Sequence, residues 1–339
     1  MSKPDLGAAL RAGRFVVAPG LHDMIAAVLA NEVGFDFVYA SGFWLTASAY
    51  GLPDAGIATY TQMLDRVATL VRTVKAGVIA DADTGYGGLL NVHHTVRGYE
   101  EAGVVAIQIE DQEFPKKCGH TPFKRVVPVA DMVDKVKVAC AARRDPAGML
   151  VIARTDARQP EGFEAAIARG LAYAEAGADI IFVEALESEA EMREACRRIR
   201  KPMMANMADG GKTPIRSKAE LAEIGYRLAI FPSTTGLAAA AASLKALRLL
   251  KDEGTSLSPD LPLFGFREFQ SLIGFEEVWA FERRWASRTE SRAQMSLTSS
   301  RQSSAAGPVG QTRALNQSFQ RVAEDFPGDP SPGISAATH

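Results

Sequence analysis

Eight short apolar runs rich in β-formers, at 15–18, 37–40, 78–80, 106–109, 150–153, 180–183, 203–205 and 228–231, recur along the chain at spacings of a few tens of residues. Between them, stretches such as 61–75, 92–102, 131–144, 163–176 and 188–200 place apolar residues at helical spacing. Strands alternating with helices of this length predict parallel strands joined by crossover helices. The runs are almost continuously apolar, which suits strands buried on both faces. Eight of them close into an α/β fold of the (β/α)8 TIM-type barrel class. Thr61 and Asn91 are the expected N-caps, and Gly77, Gly103, Gly177 and Gly225 the expected helix ends.

Beyond the eighth run, 237–251 reads as an Ala-rich helix and 266–285 as another, carrying Phe269, Leu272, Ile273, Phe275, Val278 and Trp279. So much apolar surface predicts docking on the barrel or on another subunit. From 286 to 339 the composition turns to Ser, Gln, Gly, Pro and Arg, too poor in apolar residues to fold alone. The expected organisation is a catalytic domain over 1–285 and a tail over 286–339 with a short helix at 315–323. With 339 residues and 47% hydrophobic content, the chain can bury one barrel-sized core. Lys and Arg (38) balance Asp and Glu (40), leaving a formal charge of −2 and no basic field for nucleic acid. No stretch approaches the roughly 20 apolar residues of a membrane span, so the expected location is cytoplasmic. The cysteines, Cys118, Cys140 and Cys196, show no disulfide or zinc spacing and are expected to be reduced.

The chemistry gathers where the runs end. Asp81 and Asp83 follow the third run, Glu110 and Asp111 the fourth, and Asp54 lies beyond the second. Barrel enzymes keep their active sites at this C-terminal face. Carboxylates crowded there repel unless a cation lies among them, and all-oxygen ligation favours Mg2+ or Mn2+ over zinc. Taken alone, the Asp81–Asp83 pair is equally consistent with a solvated loop. Arg154, Glu184 and Asn206 follow the fifth, sixth and seventh runs. The guanidinium of Arg154 suits a substrate carboxylate, with a salt bridge to Asp156 or Glu184 as the competing account. Cys118 stands in Lys116-Lys117-Cys118-Gly119-His120, where neighbouring cations lower a thiol pKa toward the range useful for proton transfer; an ordinary loop thiol is the alternative.

The strings SGFWLTASAYGLPDAGI, DADTGYGG, IEDQEFPKKCGH, ARTDAR, FVEA and ANMADGGKTP, in this order over about 5–285, resemble the isocitrate lyase and phosphoenolpyruvate mutase superfamily. KKCGH is the most specific of them and resembles the carbon–carbon lyase branch, including 2,3-dimethylmalate lyases and petal-death-type enzymes. The resemblance implies a barrel whose last helix is exchanged between subunits, giving homodimers or homotetramers. It implies Mg2+ held by Asp81, with Asp83, Asp54 and Glu110 assisting through water. Cys118 would donate the proton to the carbanion left after cleavage, with Lys116, His120 and Glu110 as further catalytic groups. Ser41, Gly42, Phe43, Trp44, Gly119, Arg154, Glu184, Asn206 and Ser233 would bind the substrate, a small di- or tricarboxylate.

Two departures bear on the substrate. Isocitrate and methylisocitrate lyases carry Asn-x-Thr-Glu-Phe-Gly where this chain has Asn206-Met207-Ala208-Asp209-Gly210-Gly211, and methylisocitrate lyases carry small residues where it has Phe43 and Trp44. Both point to a dicarboxylate in a narrowed pocket. The expected reaction is Mg-dependent cleavage of a substituted malate to an oxo acid and a carboxylate. Oxaloacetate hydrolysis, methylisocitrate cleavage and carboxyphosphonoenolpyruvate mutase chemistry are alternatives on the same site, and a barrel that only binds carboxylates is the non-enzymatic one.

Overall fold

The computed structural model describes residues 3–119, 121 and 123–286; His120 and the tail from 287, with its expected helix at 315–323, lie outside the described residues. The chain divides into two units, Met1–Gly274 and Phe275–His339. In the first, all eight expected strands form: β1 (Val16–Leu21), β2 (Phe37–Ala40), β3 (Gly77–Asp81), β4 (Ala106–Glu110), β5 (Leu150–Thr155), β6 (Ile180–Val183), β7 (Met204–Asn206) and β8 (Leu228–Phe231). They run parallel in the order β6-β5-β4-β3-β2-β1-β8-β7. A single parallel bridge, Ile181 to Met203, joins the two edges and makes the sheet a barrel.

The helices are α1 (Leu6–Arg11), α2 (Met24–Val33), α3 (Gly42–Tyr50), α4 (Tyr60–Thr73), α5 (Leu89–Ala102), α6 (Val129–Ala142), α7 (Phe163–Glu175), α8 (Glu189–Arg198), α9 (Lys218–Ile224), α10 (Thr234–Glu253) and α11 (Phe266–Leu272). Two caps differ from expectation. Thr59, not Thr61, caps α4, in a capping box with Gln62. Asn91 is not the cap of α5 but sits three residues inside it, accepting a hydrogen bond from Gly88 N–H. Gly103 and Gly225 end α5 and α9 with positive φ, whereas Gly77 opens β3. The helix expected over 266–285 is interrupted: α11 stops at Leu272, and Gly274 takes φ 94° before residues 275–286 resume as helix. Only a glycine adopts that conformation without strain.

Two apolar clusters divide the strand residues by parity, because successive side chains point to opposite faces. Phe37, Tyr39, Ile79, Ala106, Ile152, Ile180, Phe182, Met204, Leu228 and Ile230 fill the barrel interior, with Leu6 of α1 packed among them. Val38, Ala40, Val78, Ala80, Ile107, Ile109, Val151, Ala153 and Ile181 belong to the layer shared with the helices. One step further along the inward set stand Ser41, Asp81, Gln108, Glu110, Arg154, Glu184 and Asn206. The polar residues expected just past the strands are in several cases their last members: β3 ends on Asp81, β4 on Glu110 and β7 on Asn206. Backbone pairing continues there, with Glu110 opposite Arg154. Among the described residues no helix is long and apolar enough to cross a membrane.

Candidate active site

A cavity of about 300 Å³ opens at the C-terminal ends of the strands. Ser41, Phe43, Trp44, Asp54, Asp81, Lys116, Cys118, Gly119, Arg154, Glu184, Asn206 and Ser233 all line it. Three other expected site residues stand directly behind this wall. Gly42 N–H at the start of α3 donates to Asp81 Oδ2 (3.3 Å), Asp83 contacts Lys116, and Glu110 contacts Arg154.

The carboxylates converge, but around a side chain that sequence reasoning had set beside the thiol. Lys116 Nζ lies 2.5 Å from Asp54 Oδ1 and 2.7 Å from Asp83 Oδ1. Burial works against its charge, yet Asp83, Glu110, Asp54 and Asp81 together hold its pKa well above the ordinary lysine value. A lysine so held keeps its proton near neutrality. Among the described residues, no three acidic, histidine or cysteine side chains are disposed around one point as ligands.

The donor set nevertheless fits a hard divalent cation, because every available ligand atom is oxygen. Glu110 is buried, and its Oε1 has no hydrogen-bond partner among the described residues, which a native interior rarely leaves so. Burial, with Asp81 and Asp54 nearby, pushes the Asp83 carboxyl up to about 6 despite Lys116. Negative charge at this point exceeds what one ammonium neutralises. Asp83 also takes a left-handed conformation (φ 50°), which aims its N–H at Asp81 Oδ1 (3.0 Å).

Arg154 is more committed than expected. Its Nε and Nη2 donate to both oxygens of Asp156 (2.8 and 2.9 Å), while Glu110 lies 3.3 Å from Nη1 and Glu184 3.4 Å from Nη2. The salt-bridge account therefore holds for Asp156, and the guanidinium still lines the cavity, stacked 5.1 Å over the Phe182 ring. Burial disfavours its charge, but Asp156, Glu110 and Glu184 outweigh it and keep the arginine protonated. Asn206 Nδ2 donates to Glu184 Oε2 (3.0 Å), and Ala185 N–H donates to Glu184 Oε1 (2.7 Å) from a positive φ of 59°.

Cys118 is half-buried in the segment after β4. Gln112 fixes that segment by bonding both the N–H and the carbonyl of Lys117. Cys140 in α6 and Cys196 in α8 are set apart from the cavity; burial raises both thiols, Cys196 to about 12.

Sequence reasoning missed Gln108, whose Nε2 donates to Asp81 Oδ1 (3.4 Å) and whose Oε1 accepts from Tyr39 O–H (3.1 Å). The signal was present, since Gln108 is the polar member of an otherwise apolar strand and shares the inward parity of Glu110. Lys124 was also missed.

The phosphoenolpyruvate phosphomutase family matches residues 7–251. The chain belongs to the phosphoenolpyruvate mutase/isocitrate lyase superfamily. It is 43% identical over 273 residues to the 2,3-dimethylmalate lyase of Eubacterium barkeri, covering 80% of this chain and 94% of that one. It is 46% identical over 262 residues to a 2-methylisocitrate lyase of Aeropyrum pernix, covering 77% and 84%. The crystal structure of a phosphonopyruvate hydrolase in complex with oxalate and Mg2+ superposes with a TM-score of 0.75 at 32% identity, over 84% of this chain and 100% of that one. Close relatives in this superfamily are thus named lyases, and overall identity does not separate the dicarboxylate from the tricarboxylate enzymes.

Proposed function

We propose that this protein is a Mg2+-dependent carbon–carbon lyase that cleaves a 2-hydroxy dicarboxylate of the substituted-malate type into an oxo acid and a carboxylate. The observation that carries the reading is one cavity lined by Asp54, Asp81, Cys118 and Arg154, with Asp83 and Glu110 in contact with that lining. Asp81, with Asp83, Asp54 and Glu110, would hold the ion. When bound, Mg2+ acidifies a hydroxyl beside a carboxylate and stabilises the resulting oxo acid. A superfamily structure solved with oxalate and Mg2+ supports that assignment.

The chain's own groups supply the rest. The backbone at Ser41–Gly42 and the guanidinium of Arg154 orient the substrate's carboxylates, while Glu184 and Asn206 fix one another at the cavity wall. The hydroxyl proton leaves to a base, the O–H electrons form the new carbonyl, and the central carbon–carbon bond breaks. Its electron pair remains on the fragment that bears the second carboxylate. Cys118 donates its proton to that carbon, which completes the carboxylate product. Phe43, Trp44, Phe182, Ile230 and Leu237 present an apolar wall that accommodates alkyl substituents. Cationic lining is limited to Lys116, Lys117 and Arg154 among the described residues, and Lys116 is spent on Asp54 and Asp83. Arg154 and Lys117 are the two cations left over among the described lining residues, a number that favours a dicarboxylate.

Incubating the protein and Mg2+ with 2,3-dimethylmalate, oxaloacetate, 2-methylisocitrate, isocitrate and phosphoenolpyruvate under proton NMR tests the reading. The expected result is conversion of 2,3-dimethylmalate to pyruvate and propionate. Turnover restricted to any other compound would replace the substrate assignment. Cys118→Ser retaining full turnover would remove the proton donor.

A further inference from the structure

Behind the cavity, one buried cation belongs to none of the groups already assigned. Lys124 has a side chain at 0% exposure, and its ammonium lies 2.8 Å from Asp156 Oδ1, itself at 0%. Its second hydrogen bond goes to the backbone carbonyl of Gly119, the residue next to Cys118. Burying an ammonium is costly unless it is paired and hydrogen-bonded. A placement this enclosed therefore fixes both partners relative to each other.

Each partner leads to a different residue of the site, Asp156 to Arg154 and Gly119 to the Cys118 turn. Asp156 holds Arg154 with both oxygens, and its own N–H donates to Asp111 Oδ1 (2.8 Å), which anchors it to the outer layer. Gly119 lies against the arginine so closely that a Cβ there would sit 2.3 Å from Arg154 Nη2 and 2.9 Å from Glu184 Oε2. Thr121 closes the same turn from the other side, donating from N–H (3.0 Å) and Oγ1 (2.7 Å) to the Cys118 carbonyl. The thiol-bearing turn and the arginine that faces it thus share one buried connection.

We propose that Lys124 is a positioning residue: its ammonium ties the Cys118–Gly119 turn to Asp156 and so sets the thiol against the substrate held at Arg154. The inference rests on Cys118 as the proton donor for its effect on turnover, but not for its effect on the turn. Without the ammonium, Asp156 keeps its two bonds to Arg154, so substrate binding is largely retained. The turn, by contrast, loses a charge-assisted hydrogen bond.

The test is Lys124→Met, with Lys124→Gln as the companion that keeps a donor for Gly119 and serves if the first variant does not fold. Both are assayed for kcat and KM on the substrate found by NMR. The full-length proteins are also alkylated with iodoacetamide, and each cysteine is followed by peptide mass mapping. Loss of one charge-assisted hydrogen bond predicts a kcat roughly ten- to a hundredfold lower for Lys124→Met, with KM changed by less than about threefold, and a smaller loss for Lys124→Gln. Cys118 alkylation should accelerate by a similar factor while Cys140 and Cys196 keep their wild-type rates. Acceleration at all three thiols would mean general loosening and would overturn the proposal. Unchanged Cys118 alkylation, or faster alkylation with wild-type kcat, would overturn it as well. Full turnover by Cys118→Ser would instead overturn the proton-donor assignment, leaving the alkylation result to decide whether Lys124 holds the turn.

Discussion

Adjacent carboxylates Glu110 and Asp111 show how a single residue's position decides its task. Glu110 continues the inward set of β4, reaches Lys116's cluster and Arg154, and keeps one oxygen without a hydrogen-bond partner among the described residues. Asp111 points the other way, where Tyr173 O–H (2.8 Å) and the Asp156 N–H (2.8 Å) satisfy it, with Arg169 at 3.4 Å. Burial raises the pKa of both, more strongly for Glu110. Glu110→Gln keeps the side chain's shape and removes the charge assigned to the ion, so it should leave the denaturation midpoint near wild type while lowering turnover by ~10²-fold or more. Asp111→Asn should leave substantial turnover but cost about 1–3 kcal/mol of stability, as expected for disturbing a buried hydrogen-bonded group. Initial rates and guanidinium denaturation of the two variants check this, and a reversed pattern would sink the assignment.

At the scale of elements, the mouth of the barrel is shaped by where helices begin. At Ser41–Trp44, expected from the resemblance to bind substrate, α3 starts at Gly42 and turns a backbone N–H toward Asp81. The start of α10 is equally specific. A Cβ on Gly236 would lie 2.5 Å from Trp44 Cε3, so this helix needs a glycine to seat the indole against the cavity. Gly236→Ala should push Trp44 into the pocket, at an overpacking cost of about 1–3 kcal/mol. The expected outcome is a raised KM, partly restored by adding Trp44→Phe. Steady-state kinetics on the single and double variants measure it, and an unchanged KM in Gly236→Ala would show that the indole's seat does not shape binding.

For the whole molecule, the crowding of buried acids at the mouth predicts that a bound cation stabilises the fold. Mg2+ at about a hundred times its Kd should raise the unfolding free energy by ~2.7 kcal/mol, visible as an upward shift of Tm that EDTA reverses. No shift with Mg2+ or Mn2+, with or without oxalate, would mean the carboxylates serve Lys116 alone. Strand number and parallel topology were legible because buried strands must be apolar and helices between them must show their own period. The convergence of the candidate carboxylates was legible for a related reason, since carboxylates at the ends of such runs have no packing role. Residue types and their order along the chain therefore determined the barrel, the C-terminal mouth and the acidic cluster. Tertiary structure alone decided that Lys116 pairs with Asp54 and Asp83, that Asp156 claims Arg154, and that Lys124 links that pair to the Cys118 turn. Those choices depend on long side chains crossing between strands, where distance and burial, and not separation in sequence, determine which charge meets which.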